Sequence, residues 1–239
     1  MVGAPGRLEG PDHRTLSHRY GVPMIRIEGL TVVYGRTLAL DSLNIELRPG
    51  ITGVFGQNGA GKSTLLRTIA GLLRPVRGRV SIDGSIIRLG DESFRQKIAY
   101  VGHDSGLYGD LTVAENLKLF ATLYGAPVER VASTLASVGL EDRASARVQE
   151  LSAGLKRRAA VAKALVHDPK VLLLDEPYAN LDDGAAAQLS DALLRWQTAE
   201  RCAVIATHGA KRVKAFATAS LILQRGRAVS YSLRAPAER

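Results

Sequence analysis

Three groups of residues in this chain have the types and spacing for chemistry. The first is Gly56-Gln57-Asn58-Gly59-Ala60-Gly61-Lys62-Ser63-Thr64, which fits the pattern G-x-x-x-x-G-K-[ST]. Glycines at these spacings let the backbone bend so that successive N–H groups point inward as an anion nest. A helix starting here adds the favourable end of its dipole for a phosphate. Lys62 has the reach for the β- and γ-phosphates of a nucleotide, and the Ser63 hydroxyl can ligate Mg²⁺. The second group is Asp175-Glu176, which ends the apolar run Val171-Leu172-Leu173-Leu174. Asp175 is placed to associate with the metal, and Glu176 to orient or deprotonate a water. The third is Thr207-His208, directly after the apolar run Cys202-Ala203-Val204-Ile205-Ala206. A histidine just past a strand end can touch a γ-phosphate, although its spacing alone favours a structural role.

These residues need elements to hold them. The phosphate loop requires a strand before it and a helix after it. Ile51 to Phe55 supplies a buried strand, and Leu65-Leu66-Arg67-Thr68-Ile69-Ala70 reads as an amphipathic helix stopped by Leu73-Arg74-Pro75. The continuous apolarity of Val171–Leu174 suits a parallel strand buried on both faces. In open α/β sheets ligands bind at the carboxyl ends of such strands, which is where Asp175 falls.

Around this centre, Ile25-Arg26-Ile27, Leu30 to Tyr34 and Asn44-Ile45-Glu46-Leu47 read as strands. The Tyr34 ring, just before Gly35, either stacks on an adenine or simply packs; periodicity leaves both open. Gly78 to Gly84 is a strand entering a turn. Ile98-Ala99-Tyr100-Val101 is another strand, followed by Gly102-His103-Asp104-Ser105-Gly106. Thr112-Val113-Ala114-Glu115 is a capping box that opens a helix with Val113, Leu117 and Phe120 on one face. Gly125 and Pro127 end it. Val128, Val131, Leu135 and Val138 mark a second helix, stopped at Gly139. These helices separate two halves of a nucleotide-binding core. Leu151-Ser152-Ala153-Gly154-Leu155 opens a long helix to about Leu165, with Ser152 as its cap. That N-terminus is either another anion site or an ordinary capped helix. A helix around Ala185 to Trp196 comes next, and Leu221-Ile222-Leu223 with Ala228-Val229-Ser230-Tyr231 reads as a closing hairpin. Residues 1–23, with Pro5, Pro11, Pro23 and several glycines, read as disordered, Met24 is a candidate start residue, and residues 232–239 read as a frayed tail.

Composition narrows the class. A length of 239 residues allows one large α/β domain or two small ones, and 46% apolar residues supply a sizeable core. Aromatics at 5% argue against stacking platforms for single-stranded nucleic acid. The formal net charge of +9 suits nucleic acid, an anionic membrane surface or plain solvation, but no run of basic residues forms an arm. Cys202, in an apolar run, is the single cysteine, so a disulfide framework is excluded. No stretch approaches the apolar length of a membrane span, and the N-terminus lacks the apolar core of a signal peptide.

Taken together, the motifs resemble the nucleotide-binding subunit of ABC transporters over roughly Met24 to Tyr231, and they occur in the family's order. Tyr34 matches the adenine-stacking aromatic and Gly56–Thr64 the Walker A loop. Leu151-Ser152-Ala153-Gly154-Leu155 matches the signature usually written LSGGQ. Asp175 and Glu176 match the Walker B aspartate and catalytic glutamate. Ala179-Asn180-Leu181-Asp182 matches the D-loop, and His208 the switch histidine. His103 stands where the family carries a glutamine that senses Mg²⁺ and couples to the membrane subunit, and Leu155 replaces the last signature glutamine. Within the family, Gly102–Gly106, the basic run Lys156-Arg157-Arg158 and Asp175–Asp182 are most similar to the ATP-binding export proteins of cytochrome c biogenesis, the haem-exporter ATPases.

The resemblance implies an α/β fold: an ABC-type P-loop NTPase with a RecA-like core sheet, an N-terminal antiparallel β subdomain and an inserted α-helical subdomain at about 104–167. It implies an ATPase that uses ATP and Mg²⁺, with Ser63 and Asp175 at the metal. Glu176, His208 and Lys62 would be catalytic. Two such subunits, as a homodimer or a pair, would lie head to tail, with ATP between Gly56–Thr64 of one and Ser152–Gly154 of the other, and Asp182 across the interface. The implied partners are integral membrane permease subunits docked near His103 to Leu111, with no direct nucleic acid. The implied location is cytoplasmic, on the inner face of the cell membrane. Other exporters of drugs, polysaccharide or lipid share much of this pattern. A soluble ABC ATPase acting on nucleic acid would carry coiled coils or a second cassette. A small-molecule kinase would not need Ser152, and a non-catalytic module would not need Lys62, Asp175 and Glu176.

Overall fold

The computed structural model describes residues 22–234. In chain order the elements are β1 (Ile25–Tyr34), β2 (Thr37–Leu47), β3 (Gly50–Phe55), α1 (Lys62–Ile69), β4 (Arg77–Ile82), β5 (Ser85–Ile86) and β6 (Ile98–Val101). Then come α2 (Val113–Leu123), α3 (Arg130–Ser137), α4 (Ala153–Leu165), β7 (Val171–Asp175), α5 (Asp183–Trp196), β8 (Cys202–Ala206), α6 (Ala210–Phe216), β9 (Ala219–Gln224) and β10 (Arg227–Leu233).

The strands form two sheets. One is antiparallel with order β2-β1-β4-β5. The other has order β10-β9-β3-β8-β7-β6, in which β9, β3, β8, β7 and β6 run parallel and β10 closes the edge antiparallel to β9. Alternation along β7 explains how one strand serves two cores. Val171 and Leu173 join Ile25, Leu40, Leu65 and Ile69 in the layer between the sheets, while Leu172 and Leu174 join Leu117, Leu135, Ala160 and Leu189 in the layer under the helices. Every residue of β7 is buried, as the continuous apolar run requires. The α1 helix therefore lies between the sheets, and α2, α3 and α4 pack together on the opposite face.

Local chemistry sets the boundaries. Thr112 caps α2 through a complete capping box with Glu115. α1 ends at Ile69 with Ala70 as its C-cap, at the end of the run read from the sequence and short of Leu73-Arg74-Pro75. The reason is a Schellman closure: Gly71 takes a φ of 68°, its N–H donates to Thr68 O, and Leu72 N–H donates to Arg67 O. The runs read as separate strands at Ile25–Ile27 and Leu30–Tyr34 are one strand, β1, whose register with β2 shifts between Ile27 and Leu30. The tail also differs from expectation. Ser232 and Leu233 are not frayed but pair with Ser220 and Ala219 in the closing hairpin. Residues 1–21 and 235–239, read as disordered and frayed, lie outside the described residues. The short helix α6 has no periodic signature, since Val213 is its one fully buried side chain.

Candidate functional site

The phosphate loop sits where β3 ends and α1 begins. β3 is buried along its whole length, which fixes the start of the loop in the core. Lys62 is 7% exposed, and its Nζ donates to Gly56 O at 2.8 Å and Gln57 O at 3.1 Å. The ammonium is thus folded over the loop it would share with a phosphate. Gly61 is the N-cap of α1 and provides no side-chain cap, whereas α2, α4 and α5 are capped by Thr112, Ser152 and Asp182. The first-turn N–H groups of α1 are therefore left for an anion. Gln57, Asn58 and Gly59 are exposed at the mouth, Ala60 is buried beneath, and Ser63 and Thr64 are half-buried in the first turn.

The carboxyl ends of β7 and β8 carry the second half of the site. Asp175 is 1% exposed, and neither carboxylate oxygen has a hydrogen-bond partner. A buried, unpaired carboxylate is costly, so this pair of oxygens fits a cation or its bound water. The Ser63 hydroxyl and the Asp175 carboxylate are both oxygen donors, the type that Mg²⁺ takes. Glu176 is next, with a φ of 51°, a left-handed backbone uncommon for a non-glycine residue. Its N–H donates to Ala206 O at 2.8 Å, tying the ends of β7 and β8. Its carboxylate is held on both sides. Oε2 accepts from the Thr207 hydroxyl at 2.9 Å, Oε1 accepts from the His208 N–H at 2.9 Å, and His208 Nδ1 lies 3.0 Å from Oε1. Glu176 is mostly buried while the His208 ring is 71% exposed, so the imidazole faces outward from a fixed carboxylate.

The signature stretch comes to the same side. Ser152 Oγ accepts from Leu155 N–H at 3.3 Å, which caps α4. A Cβ at Gly154 would stand 2.7 Å from Asn180 O, so only glycine lets the helix start pack on that loop. A cleft of about 270 Å³ is lined by His103, Ala153, Arg157, Glu176 and Asn180, among others. It places His103, the start of α4 and Glu176 around one space. Leu151 is buried and Leu155 is half-buried against the helical core. Asp182 is the N-cap of α5, accepting from Ala185 N–H at 2.7 Å. Tyr34 is 43% exposed at the β1–β2 turn, and among the described residues it makes no hydrogen bond or ring contact with the phosphate loop.

The motifs include Thr207 and Arg157 but do not show what these two side chains hold. Thr207 is 3% exposed and clamps Glu176 from the next strand. Arg157 is 8% exposed on α4 and reaches the ends of β6 and β7. The pattern Thr207-His208 marks the position of the first and the basic run Lys156-Arg157-Arg158 that of the second, but neither pattern points to the partner across the strands.

Comparison with known proteins agrees with this geometry. The sequence model of the ABC transporter family matches residues 40–179. The chain is 36% identical to the cytochrome c biogenesis ATP-binding export protein CcmA of Cupriavidus necator, covering 83% of this chain and 89% of that protein. It is 32% identical to the Nod factor export ATP-binding protein I of Cupriavidus metallidurans, covering 87% and 70%. The dimeric, post-hydrolysis structure of the ATP-binding cassette MJ0796 with ADP and Pi bound superposes with a TM-score of 0.80 at 26% identity, covering 88% of this chain and 98% of that one. With a phosphate loop, a buried aspartate–glutamate pair and these relatives in one frame, the chain belongs to the ABC transporter family.

Proposed function

We propose that this chain is the ATP-hydrolysing subunit of an ABC export complex and that the complex serves haem export in cytochrome c maturation. The observation that carries the hydrolytic part is the fixed Glu176 carboxylate beside the unpartnered Asp175, at the strand ends facing α1. The CcmA relative supports the haem assignment. A second reading, the ATPase subunit of another ABC exporter of drug, polysaccharide or lipid, has the support of the Nod factor export relative at a similar identity.

In the mechanism, the first-turn N–H groups of α1 and the Lys62 ammonium hold the β- and γ-phosphates of ATP. To do so Lys62 exchanges its contacts with Gly56 O and Gln57 O for phosphate oxygens. Ser63 and Asp175 would hold Mg²⁺, which supplies charge neutralisation at the phosphates when bound. Glu176 accepts a proton from the attacking water as the new O–P bond forms and the bond to ADP breaks. Its two fixed contacts aim the carboxylate in advance, so the geometry is set before reaction. The outward imidazole of His208 positions water and γ-phosphate. In a head-to-tail pair, Ser152 to Gly154 at the α4 N-terminus meet the γ-phosphate held by the partner subunit, and Tyr34 lies against the adenine. No helix among the described residues is long and apolar enough to cross a membrane. In this reading, association with the inner face of the membrane runs through permease subunits, docked near His103 to Leu111 and the helices α2 to α4.

The test is a pull-down of the tagged protein from detergent-solubilised membranes of its source, with retained proteins identified by mass. Recovery of haem-handling membrane proteins of cytochrome c maturation is the expected result. Recovery of an unrelated permease keeps the ATPase and overturns the haem assignment.

A further inference from the structure

The buried cation Arg157 touches the backbone on both sides of the site. Its Nη1 donates to Gly102 O and its Nη2 to Asp175 O. Those two carbonyls are neighbours for a reason of register. β6 and β7 run parallel, and their last pair is Val101 with Leu174. Gly102 and Asp175 are the next residues on each strand, just where the strand ladder stops. The guanidinium spans this gap as a planar fork with two parallel donors, a geometry that lysine or glutamine cannot reproduce.

The two carbonyls matter because of the residues they lead into. The Asp175 carbonyl belongs to the same peptide group as the Glu176 N–H. That peptide is held from one side by Arg157 and from the other by Ala206 O at 2.8 Å. The left-handed backbone of Glu176 begins at this point, so the clamp defines the direction in which its carboxylate leaves the strand. The Gly102 carbonyl belongs to the peptide that leads into His103. A second cation of the same helix continues the hold: Lys163 Nζ donates to Ser105 O at 2.7 Å and Gly106 O at 3.2 Å. The segment from Gly102 to Gly106 is therefore fastened to α4 at both ends.

Burial weakens the charged form of Arg157, and the nearby Asp175 and Glu176 carboxylates favour it. The same helix opens at Ser152, little more than one helical turn away. A shift of the α4 start thus carries the guanidinium with it.

We propose that Arg157 is a positioning residue for ATP hydrolysis: its guanidinium, carried by α4, holds the Gly102 and Asp175 carbonyls together and so sets the backbone from which His103 and Glu176 project. The proposal rests on the ATPase reading. It adds that the signature helix reaches the hydrolytic carboxylate within one chain, through a single side chain.

The experiment compares full-length wild type, Arg157→Met and Arg157→Lys in steady-state ATP hydrolysis, in binding of a fluorescent ATP analogue, and in thermal unfolding. Arg157→Met removes both donors and is expected to lower kcat by about 10- to 100-fold, the range that misplacement of a reacting group by an ångström produces. The affinity for the ATP analogue is expected to stay within about 3-fold, because the phosphate loop is untouched. Arg157→Lys keeps the charge without the fork and should fall between the two. Three results overturn the proposal. The first is a kcat within about 2-fold of wild type in a folded Arg157→Met. The second is equal loss of analogue binding and of kcat, which marks a structural role only. The third applies where Arg157→Met does not fold: a wild-type kcat in Arg157→Lys. If the wild type binds the analogue but hydrolyses nothing, the ATPase reading itself falls and takes this proposal with it, whereas hydrolysis by wild type and variants alike removes Arg157 alone.

Discussion

Glu176 is aimed by its neighbours before any nucleotide arrives. The Thr207 hydroxyl at 2.9 Å and the His208 N–H at 2.9 Å occupy its two oxygens. Thr207→Val keeps the shape and removes the hydroxyl donor. We expect kcat to fall roughly 10-fold with KM for ATP little changed, because the contact acts on orientation and not on phosphate binding. Steady-state kinetics check this, and an equal rise in KM would place Thr207 in nucleotide binding instead. The lone thiol makes a second case at this scale. Cys202 is fully buried in β8, and burial pushes its thiol up to about 12. A thiol reagent at neutral pH should leave the native chain unmodified and react only after denaturation. Rapid labelling of the native protein, followed by mass, would show that β8 is not the closed strand described here.

Elements carry the site through their ends. α2 begins with a complete capping box, in which Thr112 Oγ1 accepts from Glu115 N–H at 3.1 Å and Glu115 accepts from Thr112 N–H at 2.8 Å. Thr112→Ala should cost about 1 kcal/mol. The thermal midpoint should then drop by about 2–4 °C for a protein of this size. Loop and helix join differently between α4 and β7, where His167 is stacked on Tyr124 with ring centroids 4.1 Å apart. Burial pushes its pKa down to about 4 from an ordinary 6.5. Between those values the unfolded chain binds the proton and the native chain does not, so unfolding gains as pH falls. The full contribution is present above about pH 6.5 and is lost progressively toward pH 4. His167→Phe retains a flat ring for the stack and removes the proton site. Its thermal midpoint should fall less than that of wild type between pH 7.5 and 5, and an equal fall would contradict the burial of a neutral imidazole.

The elements also show what a sequence displays and what it hides. The run Val171–Leu174 is legible because both faces of β7 are buried, so every position is apolar. The capping box at Thr112 and the phosphate loop are legible because their chemistry is local, closing within a few residues. What closes α1 is less so, because Gly71 stops the helix through backbone bonds that no side chain announces. Thr207 and Arg157 act on residues 31 and 55 positions away in sequence, and only the parallel register of β6, β7 and β8 brings them together. Ser232 and Leu233 read as the start of a frayed tail, but they pair with β9.

For the whole molecule, the two sheets and the helical layer put the phosphate loop and the α4 start in one chain, while the proposed reaction uses one from each of two chains. This gives a complementation experiment. Lys62→Ala disables the phosphate loop and Ser152→Ala the signature. Each variant alone should lose nearly all hydrolysis. A mixture forms pairs in which one interface carries both changes and the other carries neither. Activity above either variant alone is expected on mixing, and its absence would contradict the head-to-tail arrangement.

The most direct test of the hydrolytic role of Glu176 is ATP hydrolysis and ATP-dependent pairing measured side by side for wild type and Glu176→Gln. The wild type should hydrolyse ATP. Glu176→Gln should bind ATP, form a lasting dimer and turn over at a rate lower by at least about 100-fold, since it keeps the shape and one acceptor oxygen of the side chain and loses the base. Normal turnover by Glu176→Gln would remove Glu176 from the chemistry and contradict the assignment of this site.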